Sequence, residues 1–169
     1  MADKAVGSIS TSIGSDFAKQ ALAGNLSYAP ADAGDKWIYL ETIIDGTTSL
    51  LIQAAAEYNK RYGRTDEAET VTATGDIVRW IAVKNTGTSD GSTSTSSGVV
   101  LSLEGAAAYN NTDGIFIDSG EIVCFKTAAT TLNTLSGITV TVTSGAPASG
   151  GSPGDVVVQI AAVLDDVSV

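Results

Sequence analysis

The sequence predicts a mainly β protein: an antiparallel β-sandwich of jelly-roll kind, with a short N-terminal arm and one or two short helices. Three observations carry that expectation. Charged residues make up only 17 % of the 169, against 43 % hydrophobic, so the polar balance falls to Ser and Thr. Those residues, with Gly, favour turns and half-exposed strands over helices. Short runs of β-branched and aromatic residues recur, punctuated by Gly, Asn and Asp, at the roughly ten-to-twenty-residue spacing of a two-sheet β fold. A chain of this length buries a core without metal or disulfide support.

Residues 1–35 read as an arm and linker, and 36–169 as the sandwich domain. In the arm, Ser15 is placed to cap a short helix through Asp16, Phe17, Ala18, Ala21 and Leu22, with Gly24 at its end. A helix that short needs something to dock on, so the arm is expected to order against a partner subunit. Pro30 and Ala31-Asp32-Ala33-Gly34 read as the linker.

Residues 36–44 (Lys-Trp-Ile-Tyr-Leu-Glu-Thr-Ile-Ile) form the first expected strand, closed by Asp45-Gly46. Over 49–62 a helix is favoured, capped by Thr48 or Ser49, with Leu51, Ala55, Tyr58 and Tyr62 on one face and Gly63 after it. A strand over 50–54 followed by a loop is the rival reading. Beyond Gly63 the expected strands are 76–84, 99–103, 115–117, 121–126, 138–143 and 156–165. Turn chemistry separates them at Asn85-Thr86-Gly87, Ser89-Asp90-Gly91, Asp113-Gly114 and Ser119-Gly120. Residues 138–143 alternate apolar with Thr, the pattern of a strand with one buried and one wet face.

The chemistry is sparse. There is no histidine, which removes the commonest general base and metal ligand together. The single cysteine, Cys124, lies in an apolar run and forms no intrachain disulfide. No cofactor and no metal are expected. Paired carboxylates remain, at Asp165-Asp166 and at Asp66, Glu67 and Glu69. Adjacent strand residues point to opposite faces, so the first pair does not converge; the second group reads as a solvated loop. The turns at Ser89–Ser92 and 110–113 offer oxygen ligands for calcium, yet lack the EF-hand pattern and serve equally as turn formers. No enzyme activity is expected.

The net charge is −10. Residues 86–169 hold Lys126 as their only base against eight acids, a surface that repels phosphate backbones. Direct nucleic-acid binding is not expected. Lys60, Arg61 and Arg64 form the one basic cluster, beside Tyr58 and Tyr62, and read as an assembly contact with an acidic neighbour. No run reaches the ~18 apolar residues of a membrane helix. The start, Met1-Ala2-Asp3-Lys4, lacks a signal-peptide core, so synthesis in a cytosol is expected.

Val78-Arg79-Trp80-Ile81-Ala82-Val83-Lys84-Asn85-Thr86-Gly87-Thr88-Ser89-Asp90-Gly91-Ser92 and the strand after it resemble small virion structural proteins of marine tailed phages. So do Gly120-Glu121-Ile122-Val123 and the closing run from Val156 to Asp166. The resemblance spans about residues 36–169. It implies β-sandwich subunits on the phage particle: a head decoration (cement) protein, trimeric at local three-fold points and bound to the major capsid protein. It implies location on the virion after synthesis in the host cytoplasm. A tail, neck or fibre protein is the alternative within that class. A carbohydrate-binding module is the alternative outside it, for which Trp37, Trp80, Tyr39, Tyr109 and Phe116 are the available aromatics. Trp37 and Trp80 lie in apolar strands and are expected in the core.

Overall fold

A computed structural model describes residues 5–14, 19–29, 36–44, 49–51, 77–102, 115–127, 139–143 and 154–165. These form ten strands: β1 (Ala5–Gly14), β2 (Lys19–Tyr28), β3 (Lys36–Ile44), β4 (Ser49–Leu51), β5 (Ile77–Asn85), β6 (Gly98–Ser102), β7 (Ile115–Ile117), β8 (Ile122–Lys126), β9 (Thr139–Thr143) and β10 (Val156–Asp165). Every pairing among them is antiparallel. The mainly β expectation holds, and the described residues contain no helix.

The first expected helix needs correction in the residues described, and the second at its start, where the rival strand reading fits better. Lys19 to Leu22, placed in a helix, belong to β2, which pairs with β1 along ten positions from Ala5↔Tyr28 to Gly14↔Lys19. The ladder pairs the inner edge of each strand along its whole length, whereas an isolated short helix is marginal. Ser49–Leu51, the start of the second expected helix, pairs with Thr139–Thr141 of β9. The rest of that segment, and the linker at 30–34, lie outside the described residues. The strands expected at 36–44, 115–117 and 156–165 stand at those bounds. Among the described residues, six strands follow residue 76 and four precede it.

Apart from the β1–β2 hairpin, the strands make two four-stranded sheets, ordered β3-β10-β5-β8 and β4-β9-β6-β7. One cluster of buried residues draws on both: Leu40, Ile44, Val78, Ile81, Val83, Val156, Val158, Ile160 and Ala162 from the first, and Val99, Leu101 and Ile117 from the second. The alternate residues of β10, at 156, 158, 160 and 162, face this cluster, as the period of two requires. Each fully buried aliphatic contributes about 1.5–3 kcal/mol over leaving it in water.

The parity of β5 breaks once. Val163 pairs with Trp80 but Leu164 with Val78, so Arg79 is the extra residue of a bulge. The bulge lets both Val78 and Ile81 reach the shared core while Trp80 and Ala82 face the other way.

Asn85, at the end of β5, is the one polar residue fully buried among those described. Its Nδ2 donates to the carbonyls of Ser97 (2.9 Å) and Ile117 (3.4 Å), and its Oδ1 accepts from the Gly87 N–H (2.9 Å). One side chain thereby ties the first sheet to β7 and to the residue preceding β6, while it also shapes the turn. Gly87 holds φ at 73° in that turn and Gly120 holds 80° before β8, a region that L side chains rarely adopt.

Candidate functional site

The outer face of the first sheet, turned away from the shared core, carries the features that bear on function. Strand alternation puts Trp80 and Ala82 of β5, Ala161 and Val163 of β10, and Cys124 of β8 on it. With Leu26 and Tyr28 of β2 they form a second apolar cluster. The hairpin thus rests on its own sheet. An ideal Cβ built on Gly7 would lie 2.6 Å from the Cys124 Sγ, so the close approach depends on the missing side chain. Lys126 Nζ sits 6.0 Å from the centroid of the Tyr28 ring, a cation–π distance. Trp80 is 8 % exposed, and its indole Nε1 is buried with no hydrogen-bond acceptor among the described residues.

Ser8, Ser10, Ala23, Gly24 and Asn25 are exposed, and Val6 is 56 % exposed. Toward β3 the sheet face turns polar: Glu41 Oε2 accepts from the Tyr39 hydroxyl (2.9 Å) and from Gln159 Nε2 (2.7 Å). Ile122, next to Cys124 on the same face of β8, is 64 % exposed.

The loop from Thr86 to Ser97 closes over one end of the two sheets. Thr86 donates to the Val157 carbonyl through both its N–H (3.1 Å) and its hydroxyl (2.8 Å), and the Val157 N–H donates to the Thr88 carbonyl (2.7 Å). At its tip the Asp90 carboxylate accepts from the N–H of Thr93 (2.6 Å), the N–H of Ser92 (2.8 Å), the Thr93 hydroxyl (2.8 Å) and the Ser92 hydroxyl (3.0 Å). These donors, the Thr93 N–H foremost, hold its carboxyl well below the usual carboxylate range. Both oxygens are engaged by donors, the arrangement of a turn rather than of a calcium ligand.

Lys60, Arg61 and Arg64 lie outside the described residues, as do Asp66, Glu67, Glu69, Asp166 and the turn at 110–113. Asp165 ends β10 opposite Ile77. Among the described residues no three or more His, Cys, Asp or Glu come together as a metal site, and no helix is long and apolar enough to cross a membrane. Of the aromatics named for sugar binding, Trp80 is buried under the hairpin, Tyr39 is half-buried and Phe116 is 40 % exposed. The hairpin on the sheet is what sequence reasoning missed. Its one signal is the alternation of Gly7, Ile9 and Ile13 with Ser8, Ser10 and Ser12.

No protein-family model, curated protein or solved structure matches the chain.

Proposed function

We propose that this chain is a non-catalytic structural protein of a tailed-phage virion, a head decoration subunit that self-associates and binds the capsid shell. The observation that carries the proposal is the strand order. From β3 onward, eight strands fall into two sheets ordered β3-β10-β5-β8 and β4-β9-β6-β7, with a shared core. Chain neighbours such as β3 and β4, or β9 and β10, sit in different sheets. That interleaving supports a jelly-roll sandwich, an architecture of viral capsid and lectin domains. The polar residues described in detail, Asn85, Thr86 and Asp90, are spent on holding turns and sheets together. This supports a load-carrying role over a chemical one. A net charge of −10 suits a protein that sits outside a nucleic-acid-filled shell.

The test has two arms. Purified protein is added to emptied, undecorated capsids and sedimented with them, and purified particles are inventoried by mass spectrometry. Co-sedimentation, with copy numbers near those of the major capsid protein, is the expected result. A few copies per particle would move the protein to tail, neck or fibre. Absence from particles, with no capsid binding, would overturn the virion reading.

A further inference from the structure

The chain holds three Asp-Gly pairs, at 45–46, 90–91 and 113–114. Such pairs are chemically fragile, because glycine leaves the amide nitrogen that follows the carboxyl unshielded by a side chain. At 90–91 the reaction joins the Gly91 nitrogen to the Asp90 Cγ. A C–N bond forms, a C–O bond breaks, and the oxygen leaves as water with the amide proton and the carboxyl proton. Water then opens the cyclic imide to aspartate or to isoaspartate, whose main chain is longer by one carbon. The turn cannot escape the pair by exchanging its glycine, since Gly91 holds φ at 87°, a region that L side chains rarely adopt. Asp90 and Gly91 are both exposed, so water is at hand. A longer main chain here would disturb the bond from the Ser89 N–H to the Thr93 carbonyl (2.8 Å) and the Thr88↔Ser94 bridge. The Thr88 carbonyl also accepts from the Val157 N–H (2.7 Å), so the damage would reach β10.

We infer that the hydroxyl and amide donors of Ser92 and Thr93 guard this link against isoaspartate formation. They act on both requirements of the reaction. The first is approach, for which the carboxyl has to turn a face toward the Gly91 nitrogen. Oδ1 is held by the Ser92 N–H (2.8 Å), the Thr93 N–H (2.6 Å) and the Ser92 hydroxyl (3.0 Å), and Oδ2 by the Thr93 hydroxyl (2.8 Å). Donors on both oxygens fix the plane of the carboxyl, and turning it means releasing several charge-assisted bonds together. The second requirement is a proton. Water leaves only from a protonated carboxyl, and the same donors favour the ionised form. The guard is local, for every donor lies within three residues of Asp90. It holds whatever the chain assembles with.

The test follows isoaspartate at each Asp-Gly pair while the full chain is held for weeks at neutral pH. Peptide mapping with electron-transfer fragmentation tells it from aspartate. The samples are the folded wild type, the wild type unfolded in guanidinium chloride, and a variant with Ser92→Ala and Thr93→Val, which loses both hydroxyl donors. Circular dichroism checks that the variant keeps its β content. At Asp90 the folded wild type is expected to react about tenfold or more slowly than the unfolded chain, because only the opened loop reacts. The variant should react several-fold faster than the folded wild type at Asp90, with Asp45 and Asp113 unchanged. Ser92→Ala alone should fall between the two. Equal rates at Asp90 in folded and unfolded wild type would overturn the inference. So would a double variant that keeps the wild-type rate there. So, too, would one that speeds up at all three pairs alike, since general loosening and not the donors would then set the rate.

Discussion

The described residues form two apolar clusters, and they differ in how they are closed. The inner one takes residues from both four-stranded sheets and is lined almost wholly by Val, Ile and Leu. The outer one is closed on one side by a hairpin that contributes Leu26, Tyr28 and a glycine, and the Trp80 indole N–H buried beneath it has no acceptor among the described residues. The inner cluster thus determines whether the chain folds. The outer one determines where the hairpin lies, at the weaker of the two packings.

The largest effect that sharpens the contrast is in the inner cluster. Ile160 is fully buried between the two sheets. Ile160→Ala is expected to cost about 2–5 kcal/mol of unfolding free energy, read from urea denaturation. A loss under ~1 kcal/mol would show that the two sheets do not share a packed core.

Next comes the polar tie. Asn85→Ala removes two donors and one acceptor, and strands the carbonyls of Ser97 and Ile117 and the Gly87 N–H. The expected loss is about 1–3 kcal/mol, with faster amide exchange across β7 and the loop before β6. A change confined to the 86–97 loop would mean that Asn85 shapes a turn and does not join the sheets.

The outer cluster should respond differently. Gly7→Val pushes a branched side chain into Cys124 Sγ, which stands 2.6 Å from where its Cβ would be, and the hairpin has to lift. Global stability is expected to fall by less than ~1 kcal/mol, because few fully buried contacts are lost, while Cys124 labelling by a thiol reagent speeds up at least several-fold. Gly7→Cys makes the opposite change: its Cβ would lie 3.7 Å from that of Cys124, inside the ~3.5–4.5 Å span of a disulfide. Oxidation should then lock the hairpin down and block labelling. Unchanged labelling in Gly7→Val would place Cys124 out of the hairpin's reach.

The same contrast explains what was legible in the sequence. Strands β3, β5 and β10 are dense in Val, Ile and Trp, so local propensity and tertiary packing agree and their bounds emerge within a residue or so. The hairpin strands are built from Ala, Ser and Gly around a few aliphatics, and Leu22 and Leu26 stand four apart, a spacing that fits both the helical and the strand period. What decides for a strand is the partner ladder and the space left by Gly7, neither of which is local. Strand order is non-local too: nothing in β10 announces that it lies between β3 and β5. In the sequence Asn85 reads as a turn former, and its Oδ1 plays that part by accepting from the Gly87 N–H. Its other half, the buried amide that reaches β7, depends on a pairing some thirty residues away and leaves no local mark. The candidate contact at Lys60, Arg61 and Arg64 falls in the stretch 52–76, outside the described residues.

The smallest expected effect lies at the exposed tip of the 86–97 loop, far from either cluster. Asp90 has its carboxyl held below the ordinary value of 3.8 by the Thr93 and Ser92 donors. A carboxyl whose folded-state pKa is depressed stabilises the fold above its unfolded value, and that contribution disappears as pH falls toward the folded one. The melting temperature should therefore be insensitive to Asp90 between pH 7 and pH 5, and the contribution should fade below about pH 4. Asp90→Asn keeps an acceptor for one donor pair but cannot titrate. Its melting temperature should start slightly below that of the wild type at neutral pH, and the two curves should converge in acid. Curves that stay parallel down to pH 2 would show that the hydrogen bonds at the tip survive protonation.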